Sequence, residues 1–197
     1  MPRRAADNEI IRTAQRARLL DAAAHVFVRK GLSATRIEDV AKQAGVSHGL
    51  VHHYFESKAG LHRALLERIM ASADALPRAA QQRPGTAWER IAWLVETALL
   101  GARQLPEQFS FVAEALTNEA VEEDVRRHAA AQGQKGVNLL GGLIAQGQAE
   151  GTVRRGDPRV LAEHVFATVQ GLAIARVGER IDPDVVLGLL RISKEES

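Results

Sequence analysis

A single glycine, Gly45, divides two short stretches that each carry apolar residues at helical spacing. Before it, Ile37, Val40, Ala41 and Ala44 form one stripe. After it, Val51 and Phe55 form another, with Ser47 placed to cap its start. Thr35 and Glu38 have the spacing of a capping box, in which two side chains satisfy each other's orphan N–H groups, so the first stretch is expected to open at Thr35. Upstream, Leu19, Leu20, Ala23, Val26 and Phe27 mark a longer helix from about Thr13 to Lys30, with Gly31 as a left-handed stop. Two short helices joined by a tight turn make a helix-turn-helix. Val46, Val51 and Phe55 then point back at the first two helices and leave His48, Gly49, Leu50, His52 and His53 outward.

The remainder reads as helix throughout, and no stretch alternates with period two for long enough to be a strand. Aromatic residues are only 4% of the chain, and Ala, Leu and Val supply most of its 46% hydrophobic content, a balance that suits helices. A helix is expected from Lys58 to Leu76, ending before Pro77, with a loop over 77–85. Thr86 and Glu89 make a second capping box for a helix to about Ala102, and Pro106 opens another to about Asn118. A long helix spans about 120–150 and stops at Gly151. Asp157-Pro158 and Asp182-Pro183 each read as N-cap plus first-turn proline, for helices over 158–178 and 183–193. The expected fold is all-α, an N-terminal three-helix helix-turn-helix domain followed by a six-helix domain. Residues 1–12 are expected as a flexible basic arm, 13–57 as the helix-turn-helix, and 58–197 as a ligand-binding and dimerisation domain.

A net charge of +2 conceals an asymmetry. Residues 1–70 carry 12 Lys/Arg against 7 Asp/Glu and five of the seven histidines, whereas the remainder is net negative. A basic head on a mildly acidic body suggests nucleic acid as a partner of the head. With no cysteine, disulfide scaffolds, thiolate metal sites and cysteine nucleophiles are excluded. No apolar run approaches the ~18–20 residues of a membrane span, and Met1-Pro2-Arg3-Arg4 is not followed by a secretory apolar region, so a cytoplasmic location is expected. No cofactor is expected. His48 and His52 stand at i,i+4, a spacing that can bind a metal, but the sequence shows no carboxylate or thiolate partner nearby, and no metal is expected. An enzyme reading finds no nucleophile–base–orienter set. A binding or interaction module that has lost DNA affinity has His52 as its only support.

Gly31, Thr35 through Val40-Ala41, Ala44-Gly45-Val46-Ser47-His48-Gly49, His53-Tyr54-Phe55 and Ser57-Lys58 with Leu61 together resemble the TetR family of bacterial transcriptional regulators over residues 15–65. Gln170-Gly171-Leu172-Ala173 is similar to regulators with a BetI-like C-terminal domain. The resemblance implies a homodimer on a palindromic operator, released by a small-molecule effector. It places Thr35, Tyr54 and Lys58 against the DNA backbone and His48, Gly49, Leu50 and His53 against bases. Arg36, Ser47 and His52 complete the candidate DNA-binding set. His52 stands where the family usually has tyrosine. An imidazole beside phosphates holds its proton more readily than a free one, so operator affinity is expected to rise as pH falls from about 8 to 6. The arm is expected to be disordered rather than functional, with entry of Arg3 and Arg4 into a minor groove beside the operator as the alternative.

The last two helices are apolar on more than one face, which requires covering on two sides. One cover is the core and the other a partner chain, through Leu161, Val165, Leu172, Val186, Leu189 and Leu190, with Gly171 and Gly188 permitting close approach. Trp88, Trp93, Phe109, Phe111, His128 and Phe166 are the candidate effector contacts. Asn138, Gln146, His164, Gln170 and Arg176 are further polar candidates. Gly133, Gly136, Gly141, Gly142 and Gly147 interrupt one helix, for close packing, a kink or a hinge, with Gly141-Gly142 as the expected flexible point.

Overall fold

The computed structural model describes residues 2–119, 121–175 and 182–191, with side chains from residue 7 onward except those of 73 and 74. Among the described residues the chain is helix and turn alone. In order the helices are α1 (Pro2–Ala34), α2 (Ile37–Ala44), α3 (His48–Phe55), α4 (Lys58–Gln82), α5 (Ala87–Gln104), α6 (Pro106–Thr117), α7 (Glu123–Ala149), α8 (Pro158–Ile174) and α9 (Pro183–Gly188).

Two hydrophobic cores organise them. The first gathers Leu19, Leu20 and Phe27 of α1, Val40 of α2, Val51 and Phe55 of α3, and Leu61, Leu65 and Leu66 of α4, closed by Phe111 of α6 and Val125 of α7. The second gathers Ala80 at the far end of α4, Ile91, Leu94 and Leu99 of α5, Leu140 and Ile144 of α7, Val165 of α8, and Val186 and Leu190 around α9. Helices α4 and α7 pass through both cores and join them.

The caps explain most boundaries. Thr86 Oγ1 accepts from Glu89 N at 3.3 Å while Glu89 Oε2 accepts from Thr86 N at 2.8 Å, the expected reciprocal box. Asp157 Oδ1 accepts from Arg159 N at 2.8 Å, and Asp182 Oδ1 accepts from Asp184 N at 2.9 Å, each just ahead of a first-turn proline. The α7 helix ends before Gly151, which adopts φ 71°.

Other expectations are corrected. Residues 2–12 are not a loose arm but the first turns of α1. Their mix of Ala, Arg, Glu and Ile holds a helix by propensity alone, without an apolar face to betray it. Ile10 and Ile11 stand two-thirds exposed there. The side chains of Arg3 and Arg4 lie outside the described residues. Pro77 does not end α4, which continues to Gln82. A proline inside a helix removes one hydrogen bond and costs about 3 kcal/mol. Here Pro77 is buried, and Ala80 beyond it is wholly buried in the second core, so packing offsets that cost. The α9 helix stops at Gly188, five residues short of the expected end, and passes into turn-type bonds from Leu189 N to Val186 O and from Leu190 N to Leu187 O. The α8 helix ends at Ile174, and residues 176–178 of its expected span lie outside the described residues.

The glycines of α7 divide by what faces them. A Cβ on Gly136 would stand 3.0 Å from the Phe166 ring, one on Gly147 would press into the buried Val153, and one on Gly141 would meet the backbone at Pro158 and Arg159. These three let α8 and the segment before it approach α7 closely. Gly133 faces open space, and Gly142 meets only the end of Gln81. Close packing therefore accounts for three of the five, and α7 runs through Gly141-Gly142 as one unbroken helix. Accordingly, Gly147→Ala should lower unfolding free energy by about 1–3 kcal/mol through overpacking, whereas Gly133→Ala should raise it by about 0.4–1 kcal/mol. Urea titration of the pair checks this, and equal signs would refute the division.

His62 on α4 is 3% exposed, between Phe27 at 5.4 Å and Phe111 at 4.8 Å between ring centres. Burial pushes its pKa below the ordinary 6.5, against the opposing pull of Glu114 and Glu122. Folded His62 therefore stays neutral at pH values where the unfolded chain is protonated. The stability tied to this group should be intact above about pH 6.5 and lost as pH falls through the lowered value. Denaturation at pH 7.5, 6.5 and 5.5 should show a shallower acid loss in His62→Leu than in the parent; parallel losses would refute the assignment.

Candidate nucleic-acid interface

The site is built on the end of α1. Gly31, at φ 72° and ψ 167°, breaks the helix, and its carbonyl accepts the Thr35 hydroxyl at 2.7 Å. Thr35 is 1% exposed. Its side chain is thus committed inside the fold and neither opens a capping box nor faces DNA. The N-cap of α2 is instead Arg36, whose backbone N–H donates to Asp39 Oδ2 at 3.1 Å. Lys30 Nζ stands 2.7 Å from Asp39 Oδ1. The hydrogen bond from Lys30, then that from the Arg36 N–H, holds the Asp39 carboxyl below its usual range. Arg18 of α1 donates to Ala44 O at 2.8 Å, and so fixes the other end of α2. Arg18 and Lys30 are positioning residues that the motif alone does not reveal, because their partners are a carbonyl and an acid on another helix.

Gly45 then turns the chain at φ 65° and ψ 39°, the left-handed region that glycine enters without cost. Val46 N closes the turn on Ala41 O at 3.0 Å. Ser47 Oγ accepts from Leu50 N at 3.3 Å, the expected N-cap of α3. Val51, wholly buried, and Phe55, 6% exposed, seat α3 in the first core. Val46 packs against that core half-buried, and Arg16 lies over the Phe55 ring at 5.3 Å. The other face of α3 presents His48, Gly49, His52 and His53 exposed, with Leu50 and Tyr54 half-buried at its margins. Gly49 has no atom within 4 Å of where a Cβ would sit. Ser47 and Arg36 are exposed beside this face.

The histidines are not independent. His48 and His52 lie 4.5 Å apart between ring centres, and His48 Nε2 is 3.3 Å from Glu38 Oε1. The carboxylate neighbour that the sequence did not reveal is therefore Glu38, brought over from α2. Among the described residues no group of three metal-binding side chains forms. His52 Nδ1 lies 2.9 Å from Glu56 O. Lys58 does not point outward; its Nζ donates to Leu32 O at 3.0 Å and Ser33 O at 3.2 Å, at the C-terminal end of α1.

The candidate effector contacts do not all converge. Trp88, Trp93, Phe109 and Phe166 pack half-buried against the second core, with the Arg83 guanidinium 4.4 Å from the Trp93 ring centre. Phe111 belongs instead to the first core, against Phe27. His128 is exposed, as are Asn138, Gln146 and His164; Gln170 is half-buried, and Arg176 lies outside the described residues. On the last two helices, Val165, Val186 and Leu190 are at most 2% exposed in the second core and have no face left for a partner. Leu161 and Leu172 are half-buried. The outward apolar residues are Leu189 with Val160, Ile174 and Val185, the last 71% exposed.

The sequence pattern of bacterial regulatory proteins of the tetR family matches residues 19–65, the segment that builds this interface. The regulator BetI of Rhizobium meliloti is 31% identical over 165 residues, covering 81% of this chain and 76% of that one. TtgR of Pseudomonas putida is 28% identical over 165 residues, covering 80% and 77%. A transcriptional regulator from Saccharomonospora viridis, solved in complex with choline, superposes with a TM-score of 0.75 at 26% identity, covering 90% of this chain and 94% of that one. No described helix is long and apolar enough to cross a membrane. With the helix-turn-helix geometry in place and a relative this similar over most of both chains, the protein belongs to the TetR family of bacterial transcriptional regulators, DNA-binding proteins and not enzymes.

Proposed function

We propose that this chain represses transcription by binding a palindromic operator as a homodimer and leaves it when a small-molecule effector binds. The observation that carries the reading is the two-sidedness of α3, anchored by Val51 and Phe55 and outwardly presenting three histidines and an unobstructed glycine, with Leu50 at the margin. His48, Gly49, Leu50 and His53 are the residues for base edges, with Leu50 suited to a thymine methyl. Arg36, Ser47, His52 and Tyr54 are suited to phosphates. Selection from a randomised duplex pool should return a palindrome with half-sites about one helical turn apart. No enrichment at low salt would defeat the reading.

His52 has one ring nitrogen already committed, since its Nδ1 donates to Glu56 O and leaves Nε2 as the outward ring atom. Its neighbour His48 already faces Glu38. His52→Ala should therefore weaken operator binding in a fluorescence-anisotropy titration, and unchanged affinity would refute the role.

For the dimer, the supporting face is Val160, Ile174, Val185 and Leu189, together with Gly171 and Gly188, where an added Cβ meets nothing within 4 Å. Small open positions among exposed apolar residues suit close packing of helices from two chains. Gly171→Arg should leave each chain folded yet monomeric in sedimentation, and weaken operator binding about 100-fold as bivalence is lost. A dimer that survives this change would place the interface elsewhere. For the effector, the half-buried Trp88, Trp93, Phe109 and Phe166 support a site against the second core. Choline is the first compound to test, because a regulator 26% identical holds it and because Trp93 already receives a cation on its ring.

A further inference from the structure

A cavity of about 160 Å³ opens where the head meets the body. Leu32 of α1, Ala59 of α4, and Val121 and Val125 beside the start of α7 make it largely apolar, while Lys58, His62 and Glu122 supply its polar groups. An apolar cavity of about 150 Å³ admits a molecule the size of benzene. Its charged lining is one cation, Lys58, and one carboxylate, Glu122, with Glu114 acting on His62 nearby, so an anion is favoured at the Lys58 end alone. Glu122 is already held by Arg63 at 2.7 Å, and Arg63 also holds Asp124 at 2.8 Å. Lys58 spends two of its three N–H groups on Leu32 O and Ser33 O, leaving one. His62, 3% exposed, carries a buried Nε2 without a hydrogen-bond partner, a state that native interiors seldom leave unanswered.

We propose that this cavity is a ligand site, separate from the effector site of the second core, for a small monocarboxylate with a compact apolar body. The carboxylate takes the remaining Lys58 N–H, and the body packs on Leu32, Val121 and Val125. Such an occupant touches the end of α1, the first turns of α4 and the start of α7 together, so it bears on how the head is held. The influence on DNA rests on the operator reading above; the binding itself does not.

The test is a titration of the full chain with benzoate, followed by NMR at the His62 ring Cε1–H, with benzylamine as the cationic counterpart. Benzoate should shift the His62 resonance saturably and benzylamine should not. Ala59→Phe, which fills the cavity, and Lys58→Gln, which removes the charge but keeps a polar end, should each weaken benzoate about tenfold or more. Either variant serves if the other fails to fold. No saturable shift, equal response to benzylamine, or undiminished affinity in a folded variant overturns the site. A chain that selects no operator but binds benzoate here overturns the operator reading and leaves this one standing.

Discussion

Three residues at the end of α1 carry the connections on which the DNA-facing helices depend. Gly31 O receives the Thr35 hydroxyl and so fixes the approach to α2. Leu32 N donates to Glu114 Oε1 of α6 at 3.3 Å, and the Leu32 and Ser33 carbonyls receive the Lys58 ammonium of α4. The last carbonyls of a helix lack partners within it and concentrate negative charge, which makes a lysine there doubly favourable. The break at Gly31 thus joins three other helices instead of merely ending one. A displacement of α4 or α6 cannot leave α1 where it was without breaking one of these bonds. That is the physical content of coupling between effector and operator in the proposed mechanism, and such coupling acts equally in both directions.

Where the sequence was legible, a local rule and the tertiary structure agreed. Gly45, Ser47, Val51 and Phe55 occupy their expected places because turn chemistry and apolar spacing point to one answer. The Thr86–Glu89 box formed because neither side chain has a better partner. The Thr35–Glu38 box did not form, since Gly31 O lies closer to the Thr35 hydroxyl and Asp39 stands ready for Arg36. Pro77 misled for the same kind of reason: burial beyond it outweighs a local cost that sequence alone records. The first turns of α1 were illegible in another way, because a helix projecting into water needs no apolar stripe and leaves none.

Sidedness was the hardest property to read. Helices α8 and α9 are apolar nearly all round, so spacing identifies two covered faces without saying which is internal. Val165, Val186 and Leu190 proved internal, and the outward set is Val160, Ile174, Val185 and Leu189. Phe111 shows the same limit. It lies on α6 among residues assigned to the body, yet it packs against Phe27 and His62 in the first core. Its placement makes α6 part of the floor of the head, a role invisible to any argument that divides the chain at one residue.

The geometry of α4 explains why small changes in the body suffice. At 25 residues it is about 37 Å long, with its first turns in the first core and Ala80 in the second. A tilt of about 5° about the end near Ala80 carries the end near Lys58 about 3 Å. In the proposed dimer the two-fold axis doubles that motion between recognition helices, which must match major grooves about 34 Å apart. Side-chain hydrogen bonds to base edges tolerate errors of a few tenths of an ångström, not several ångströms. An effector therefore need not reshape α3, whose anchors Val51 and Phe55 belong to the same core as the first turns of α4. It has only to shift the lever, and the head, held at Leu32 and Ser33, follows as one body.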